Sequence, residues 1–224
     1  MAFESRCPEG QAVESEVLGV FSKVAAWTGR FAAWRVSRLL RGSLGPGKMA
    51  VDIGTGPGTI PLHLARLHPG SRILGLDISL EMLEKAAIHR EKMGMAMPLT
   101  AADGEYLPFR DNSMDAVISL FSLHHMDHPG LFFREANRII KPEGALLIID
   151  FRRDMPTGLF PLLNTFWKAV FFFSAGKHGF HDSVRSAWRP EELENILSEN
   201  EISHFTVKSN AMELFVVSGQ LLES

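Results

Sequence analysis

The stretch Val51-Asp52-Ile53-Gly54-Thr55-Gly56-Pro57-Gly58-Thr59 constrains this chain more than any other part of it. A short apolar strand runs straight into a loop with glycine at alternate positions, and a helix follows. Glycine tolerates positive φ and offers bare backbone for a ligand to lie against. The first turn of the next helix presents unpaired N–H groups on the same side. Strand, glycine loop and helix in that order are the opening of a crossover unit in a parallel sheet.

The pattern continues in the same style. Short apolar strands are expected at Met49–Ile53, Arg72–Asp77, Met97–Ala101, Asp115–Leu120 and Ala145–Asp150, with helices at Thr59–Leu67, Leu80–Lys92 and Pro129–Ile140 between them. Pro142 and Gly144 read as the stop of the last of these helices. A further helix starts near Arg189-Pro190-Glu191-Glu192, with proline in the first turn, where its missing N–H is not needed. Ile202–Val207 and Leu214–Val217, parted by the polar Ser209-Asn210, look like a closing antiparallel pair. Upstream of the breaker Gly45-Pro46-Gly47, apolar residues from Val17 to Leu39 recur at spacings of three and four, as in one or two amphipathic helices. Arg30, Arg35, Arg38 and Arg41 read as the solvated face of that segment, or as a contact for phosphate or carboxylate.

The 224 residues are 46% hydrophobic, enough for one domain with a sizeable core. Twenty-three Lys and Arg against 26 Asp and Glu leave a net charge of −3, which gives no global attraction to nucleic acid or to an anionic membrane, although a local basic patch is compatible with it. Cys7 is the single cysteine, so no disulfide forms within the chain and a reducing, cytoplasmic setting is expected. The N-terminus lacks the charge pattern of a signal peptide, and no uncharged apolar run reaches spanning length.

Two acids sharpen the glycine loop. Asp77 ends the second strand, 23 residues beyond Gly54, where a carboxylate can accept from both hydroxyls of a ribose. Asp103, in Ala102-Asp103-Gly104, follows the third strand and is placed to accept from an adenine amine, or else marks a surface turn. The ligand is therefore expected to be a nucleoside. Charge separates the candidates. Asp52 stands two residues before the first glycine, where its carboxylate would repel a pyrophosphate and favour a sulfonium with an α-ammonium. Thr59 also stands where a dinucleotide fingerprint requires glycine or alanine. S-adenosylmethionine is thus the expected cofactor. An NAD(P)-dependent oxidoreductase, and a non-catalytic module that only binds S-adenosylmethionine, are the rival readings.

Val51–Thr59, Leu76-Asp77-Ile78, Ala102-Asp103-Gly104, Phe109–Asp115, Leu123-His124-His125 and Arg138–Gly144 together resemble the small-molecule, class I (Rossmann-like) S-adenosylmethionine-dependent methyltransferases. The resemblance covers about Met49 to Asp150. It implies an α/β, doubly wound, mostly parallel seven-stranded sheet of order 3-2-1-4-5-7-6 with its last strand antiparallel. Together with the breaker at Gly45-Pro46-Gly47 and the aromatic stretch near residue 160, this divides the chain into an N-terminal helical cap, residues 1–44, and a methyltransferase domain, residues 45–224, with a lid insertion expected at about 155–187. By the same resemblance Asp52, Gly54, Thr55, Gly56 and Gly58 surround the methionine part of the cofactor. Asp77 holds the ribose, Ile78 packs on the adenine, Asp103 lies at its edge, and Ser119 and Leu120 line the reactive side; Met82 and Gly104 are also expected among the cofactor-binding residues. Glu143 departs from the glycine common at that point.

Methyl transfer from a sulfonium is an in-line displacement that needs alignment, exclusion of water and, for a poorly ionised acceptor, a base. His124 and His125 are candidates for that base, or else they order the loop. His128 follows them, and His178, His181 and Asp182 form a second group, but neither set has the cysteines or dense acids of a metal site, and no metal is expected. Gly158–Phe173 crowds Phe160, Phe166, Trp167, Phe171, Phe172 and Phe173 into one stretch, read as buried core, as a lid over a hydrophobic acceptor, or as a contact for a membrane surface. Arg152 and Arg153 read as surface arginines, or as partners of an acidic acceptor. Methyl transfer to a small, apolar or aromatic molecule is the function expected.

Overall fold

The computed structural model of the protein describes residues 5–7, 29–170 and 179–218. After helix α1 (residues 29–39) come β1 (Met49–Ile53), α2 (Thr59–Leu67), β2 (Arg72–Asp77), α3 (Leu80–Lys92), β3 (Leu99–Ala101) and β4 (Met114–Leu120). They are followed by α4 (Pro129–Ile139), β5 (Ile140–Phe151), α5 (Leu159–Val170), α6 (Gly179–Ser186), α7 (Pro190–Glu199), β6 (Phe205–Ser209) and β7 (Glu213–Ser218). The seven strands form one sheet in the order β3-β2-β1-β4-β5-β7-β6. β1 to β5 run parallel, and β7 is antiparallel to both of its neighbours. This is the class and order that the resemblance implied.

Every residue of β4 is buried, as a central strand covered on both faces requires. One face carries Phe132, Phe133 and Ala136 of α4 with Leu193 and Leu197 of α7. The other carries Ala33 and Val36 of α1 and Leu40 just after it, with Leu64 of α2. Helix α1 therefore lies against a sheet face beside α2, where the Ser37 hydroxyl meets His68 Nε2 at 2.8 Å. The part of the amphipathic N-terminal stretch before residue 29 lies outside the described residues.

Three boundaries differ from the sequence expectation, each for a local reason. Pro98 has no N–H to donate, so β3 begins at Leu99 instead of Met97. Helix α4 stops at Ile139 and Ile140 is already extended; Lys141 precedes a proline and is steered away from helix, so residues 140–144 enter β5 through a shift of register opposite Met114 and Ala116. Ile202 donates its N–H to Leu197 O and finishes α7, with Glu201 at φ 57°, so β6 begins only at Phe205. The Ser209-Asn210 turn is as expected: Asn210 Oδ1 accepts the N–H groups of Met212 and Glu213. Helix α6 had no counterpart in the sequence reading.

Candidate functional site

The site forms at the C-terminal ends of β1, β2, β4 and β5. The glycine loop leaves β1 with Gly54, Gly56 and Gly58 at φ 72°, 53° and 71°, and it is pinned to β2 because Gly54 and Thr55 both donate to Leu76 O. The glycines have different reasons to be glycine. A Cβ on Gly54 would stand 1.9 Å from Ser122 Oγ and 2.5 Å from Ser122 Cβ, and one on Gly58 2.9 Å from Ala86 Cβ. At Gly56 a Cβ would meet nothing within 4 Å, so this residue faces open space.

Asp77 closes β2 and braces the loop. Its Oδ2 accepts Gly56 N–H at 2.7 Å and its Oδ1 accepts Ser79 N–H at 2.9 Å. Ile78 N–H also faces this carboxylate, which still keeps acceptor capacity for a further donor. Burial pushes the Asp77 carboxyl above its ordinary pKa. Beside it Ile78 is 48% exposed, an apolar side chain turned outward at the end of a buried strand. Met82 is buried on α3 and donates its N–H to the Ser79 cap.

Asp52 is 3% exposed and ends as a half-satisfied group. Its Oδ2 accepts the Thr55 hydroxyl at 2.9 Å, while Oδ1 has no partner. Burial, reinforced by the charge of Asp77, raises its pKa to about 7. A buried carboxylate oxygen with nothing to accept from is costly, and a cation arriving there removes the cost. The open face of Gly56, the outward Ile78, the spare acceptor capacity of Asp77 and the orphaned Asp52 oxygen together fit a cationic nucleoside.

The third strand joins the same edge, since Ala102 donates to Asp77 O. Asp103 is half-buried and accepts Glu105 N–H. Gly104 is held close beneath β1, where a Cβ would lie 3.0 Å from Ile53 Cγ2. The side chains of Ser119 and Leu120 are committed to the interior. Ser119 is fully buried with its hydroxyl on Ile53 O, and Leu120 belongs to the core beneath α1. Only their backbone is left to face a ligand.

His124 and His125 sit in a single turn after β4, and the structure treats them differently. Asp150, at the end of β5, accepts His124 Nδ1–H at 2.7 Å and His124 backbone N–H at 2.9 Å. A carboxylate on Nδ1 fixes the tautomer and leaves Nε2 as the basic atom. His125 has a buried, unpartnered Nδ1, and burial with the neighbouring His124 and Arg6 pushes its pKa down to about 3. It stays neutral and is a weak base. Asp150 was not singled out in the sequence; its position at a strand end pointing into the crevice was the available signal.

Aromatic rings continue from this dyad. Phe151 lies 6.0 Å from the His124 ring, 4.9 Å from Phe121 and 5.3 Å from Phe180, and Phe180 stacks on Phe160 of α5 at 6.1 Å. The sequence reading placed Phe160 in this role but missed the other three rings. The side chain of Phe166 and that of Trp167, and residues Phe171, Phe172 and Phe173, lie outside what is described. Arg6 reaches across from the N-terminus, donating to Ser186 O, His124 O and Met126 O, with its guanidinium 4.1 Å above Trp188.

Arg153 is neither a surface residue nor open to an acceptor. It is 1% exposed, donates to Ala187 O and pairs with Glu192. Arg152 is paired with Asp154. Among the described residues no three His, Cys, Asp or Glu side chains gather as a metal site, and no helix is long and apolar enough to cross a membrane.

Residues 51–148 match the family model described as a methyltransferase domain. This stretch, which holds the glycine loop, Asp77 and His124, is similar to a methyltransferase domain. A malonyl-[acyl-carrier protein] O-methyltransferase of Legionella pneumophila is 35% identical to it over 122 residues, 54% of this chain and 40% of that protein. A ubiquinone/menaquinone biosynthesis C-methyltransferase UbiE of Bordetella avium is 31% identical over 156 residues, 65% of this chain and 60% of that protein. The methyltransferase domain thus spans about half the length of these relatives. A solved S-adenosylmethionine-dependent methyltransferase of Aquifex aeolicus shares its fold, with a TM-score of 0.68 at 18% identity over 92% of this chain and 98% of that one.

Proposed function

We propose that this protein transfers a methyl group from S-adenosylmethionine to a small, apolar or aromatic molecule, with His124 as the base. The observation that carries the reading is the run of half-buried rings Phe121, Phe151, Phe180 and Phe160, which begins at the His124–Asp150 pair and leads away from it. The two relatives methylate an oxygen and a carbon by their names, so the rings, which select an apolar body, describe the acceptor better than either name does.

Bound S-adenosylmethionine supplies a methyl group made electrophilic by its sulfonium. Asp77 holds the ribose, Ile78 and Met82 lie along the adenine with Asp103 at its edge, and Asp52 offers its spare oxygen to the positively charged methionine portion. Gly54, Gly56 and Gly58 let the backbone approach. The Phe rings exclude water and align the acceptor. His124 Nε2 takes the acceptor's acidic proton, while Asp150 stabilises the resulting imidazolium through Nδ1. The cytoplasm, where the exposed Cys7 thiol stays reduced, is the proposed setting.

Turnover of methyl-labelled cofactor across a panel of phenols, quinols and hydroxylated polyketides tests this. In the His124→Gln variant kcat is expected to fall roughly a hundredfold or more with cofactor affinity unchanged. Phe180→Ala is expected to raise the acceptor KM roughly tenfold. Unaltered kcat in His124→Gln would remove the base from the scheme.

A further inference from the structure

The chain is acidic overall, yet one face of it is not. From residue 29 to residue 71 the sequence holds Arg30, Arg35, Arg38, Arg41, Lys48 and Arg66, and its sole acid is the buried Asp52. Arg35 is consumed internally, paired bidentately with Glu213 at 2.9 and 2.7 Å. Lys48 is paired with Asp115. Arg30 and Arg38 stand on α1 with two large exposed rings. Phe31 is 67% and Trp34 48% exposed; they stack at 5.9 Å, and Arg38 lies over Trp34 at 5.1 Å.

Arg30, Phe31, Trp34 and Arg38 are exposed and recur at spacings of three and four, so they form one stripe along the outer side of α1, and the exposed Arg41 follows just past its end. The opposite side, Ala33 and Val36 with Leu40 just after the helix, is fully spent on the sheet. Core packing therefore does not explain the rings. Leu67, 49% exposed at the end of α2, directly precedes His68, whose ring meets Ser37 of α1. A helix that keeps aromatic rings outward between arginines, with no acid nearby in sequence, has the composition of one that lies in the plane of a lipid–water interface.

We propose that the exposed face of α1, with the end of α2, docks on the surface of an anionic phospholipid bilayer. Charge complementarity names the occupant: arginines meet the lipid phosphates while Phe31 and Trp34 enter the headgroup region, where amphipathic rings are favoured. The position of the face relative to the site adds a second argument. Gly29, at one end of the stripe, abuts Thr59 at the exit of the glycine loop. Arg35 is tied to Glu213, which pairs with Phe151. Phe31 and Trp34 lie between those two anchors, so docking sets the mouth of the site close to the bilayer, from which an apolar acceptor can enter. The inference stands on the surface alone and does not need the methyl-transfer reading.

Flotation of the full chain with vesicles tests it. Phosphatidylglycerol-containing vesicles are expected to bind the protein in 50 mM salt and release most of it in 0.5 M salt, while pure phosphatidylcholine binds little. Each arginine near an anionic surface strengthens attraction roughly fivefold, so Arg38→Glu with Arg41→Glu is expected to weaken binding by more than roughly tenfold. Phe31→Ser with Trp34→Ser is expected to do the same. Melting temperature and S-adenosylhomocysteine affinity stay unchanged in both, because all four side chains are exposed or half-exposed outside the core. Equal flotation of parent and variants, binding indifferent to lipid charge, or no binding to anionic vesicles would overturn the proposal; the last of these points to an acidic protein partner instead.

Discussion

The Gly54→Ala variant is expected to melt roughly 8 °C lower than the parent and to bind S-adenosylhomocysteine at least roughly a hundredfold more weakly. Two costs combine. At φ 72° an alanine is in the left-handed region, worth about 1–2 kcal/mol. Its methyl would also overlap Ser122, with the Ser122 Cβ only 2.5 Å away. A hydroxyl rotates aside cheaply, but a Cβ moves only with its backbone, and overpacking of that kind costs about 1–3 kcal/mol. The loop and the turn after β4 must therefore separate, which disturbs the edge that carries Asp77 on one side and His124 on the other. Adding Ser122→Gly is expected to recover the clash and leave the φ cost, so about half the lost stability returns. Thermal melts of the three variants read this directly, and a double variant no better than Gly54→Ala would show that the close approach is not what the glycine serves.

The second large effect is at Asp77. Asp77→Ala is expected to weaken S-adenosylhomocysteine binding roughly a hundredfold, measured by calorimetry. A charged acceptor bonded to a hydroxyl contributes about 1.5–3 kcal/mol per bond, and the same side chain holds Gly56 N–H and Ser79 N–H in the free protein. Removal therefore loses the ligand contacts and slackens the loop together. Asp77→Asn separates the two roles, because an amide oxygen still accepts from one of those backbone groups. Its binding loss is expected to be as large while its melting temperature stays nearer the parent. Full affinity in Asp77→Asn would move the ribose elsewhere.

Much of this was legible because it is local. The register of β1 against β2 follows from two apolar strands joined by a short crossover, and the glycine spacing positions the loop regardless of what packs around it. The acids at Asp52, Asp77 and Asp103 are each read from a strand end. What escaped depends on partners far apart in sequence. Asp150 meets His124 across 26 residues, and Arg6 reaches residues 118 to 180 positions away. Arg153 looked like a surface charge because nothing nearby announced Glu192 as its partner. Ser119 keeps only its backbone toward the site, because alternation along β4 turns its hydroxyl to Ile53. Phe121, Phe151 and Phe180 stand singly in the sequence and become a wall only when β4, β5 and α6 meet. The boundaries that moved all trace to one or two residues, such as Pro98 and Pro142, whose backbone limits override apolar patterning.

Calorimetric titration of the full chain with S-adenosylmethionine and, separately, with NAD at pH 5.5 and pH 7 tests the electrostatic design of the crevice. Asp52 titrates near pH 7 in the free protein, so at pH 5.5 it carries a proton that a cationic ligand must displace. S-adenosylmethionine is expected to bind at one site, roughly tenfold more tightly at pH 7 than at pH 5.5. Asp52→Asn is expected to flatten that dependence, and NAD to give no heat at either pH. Tight binding of NAD with no response to S-adenosylmethionine would contradict the account.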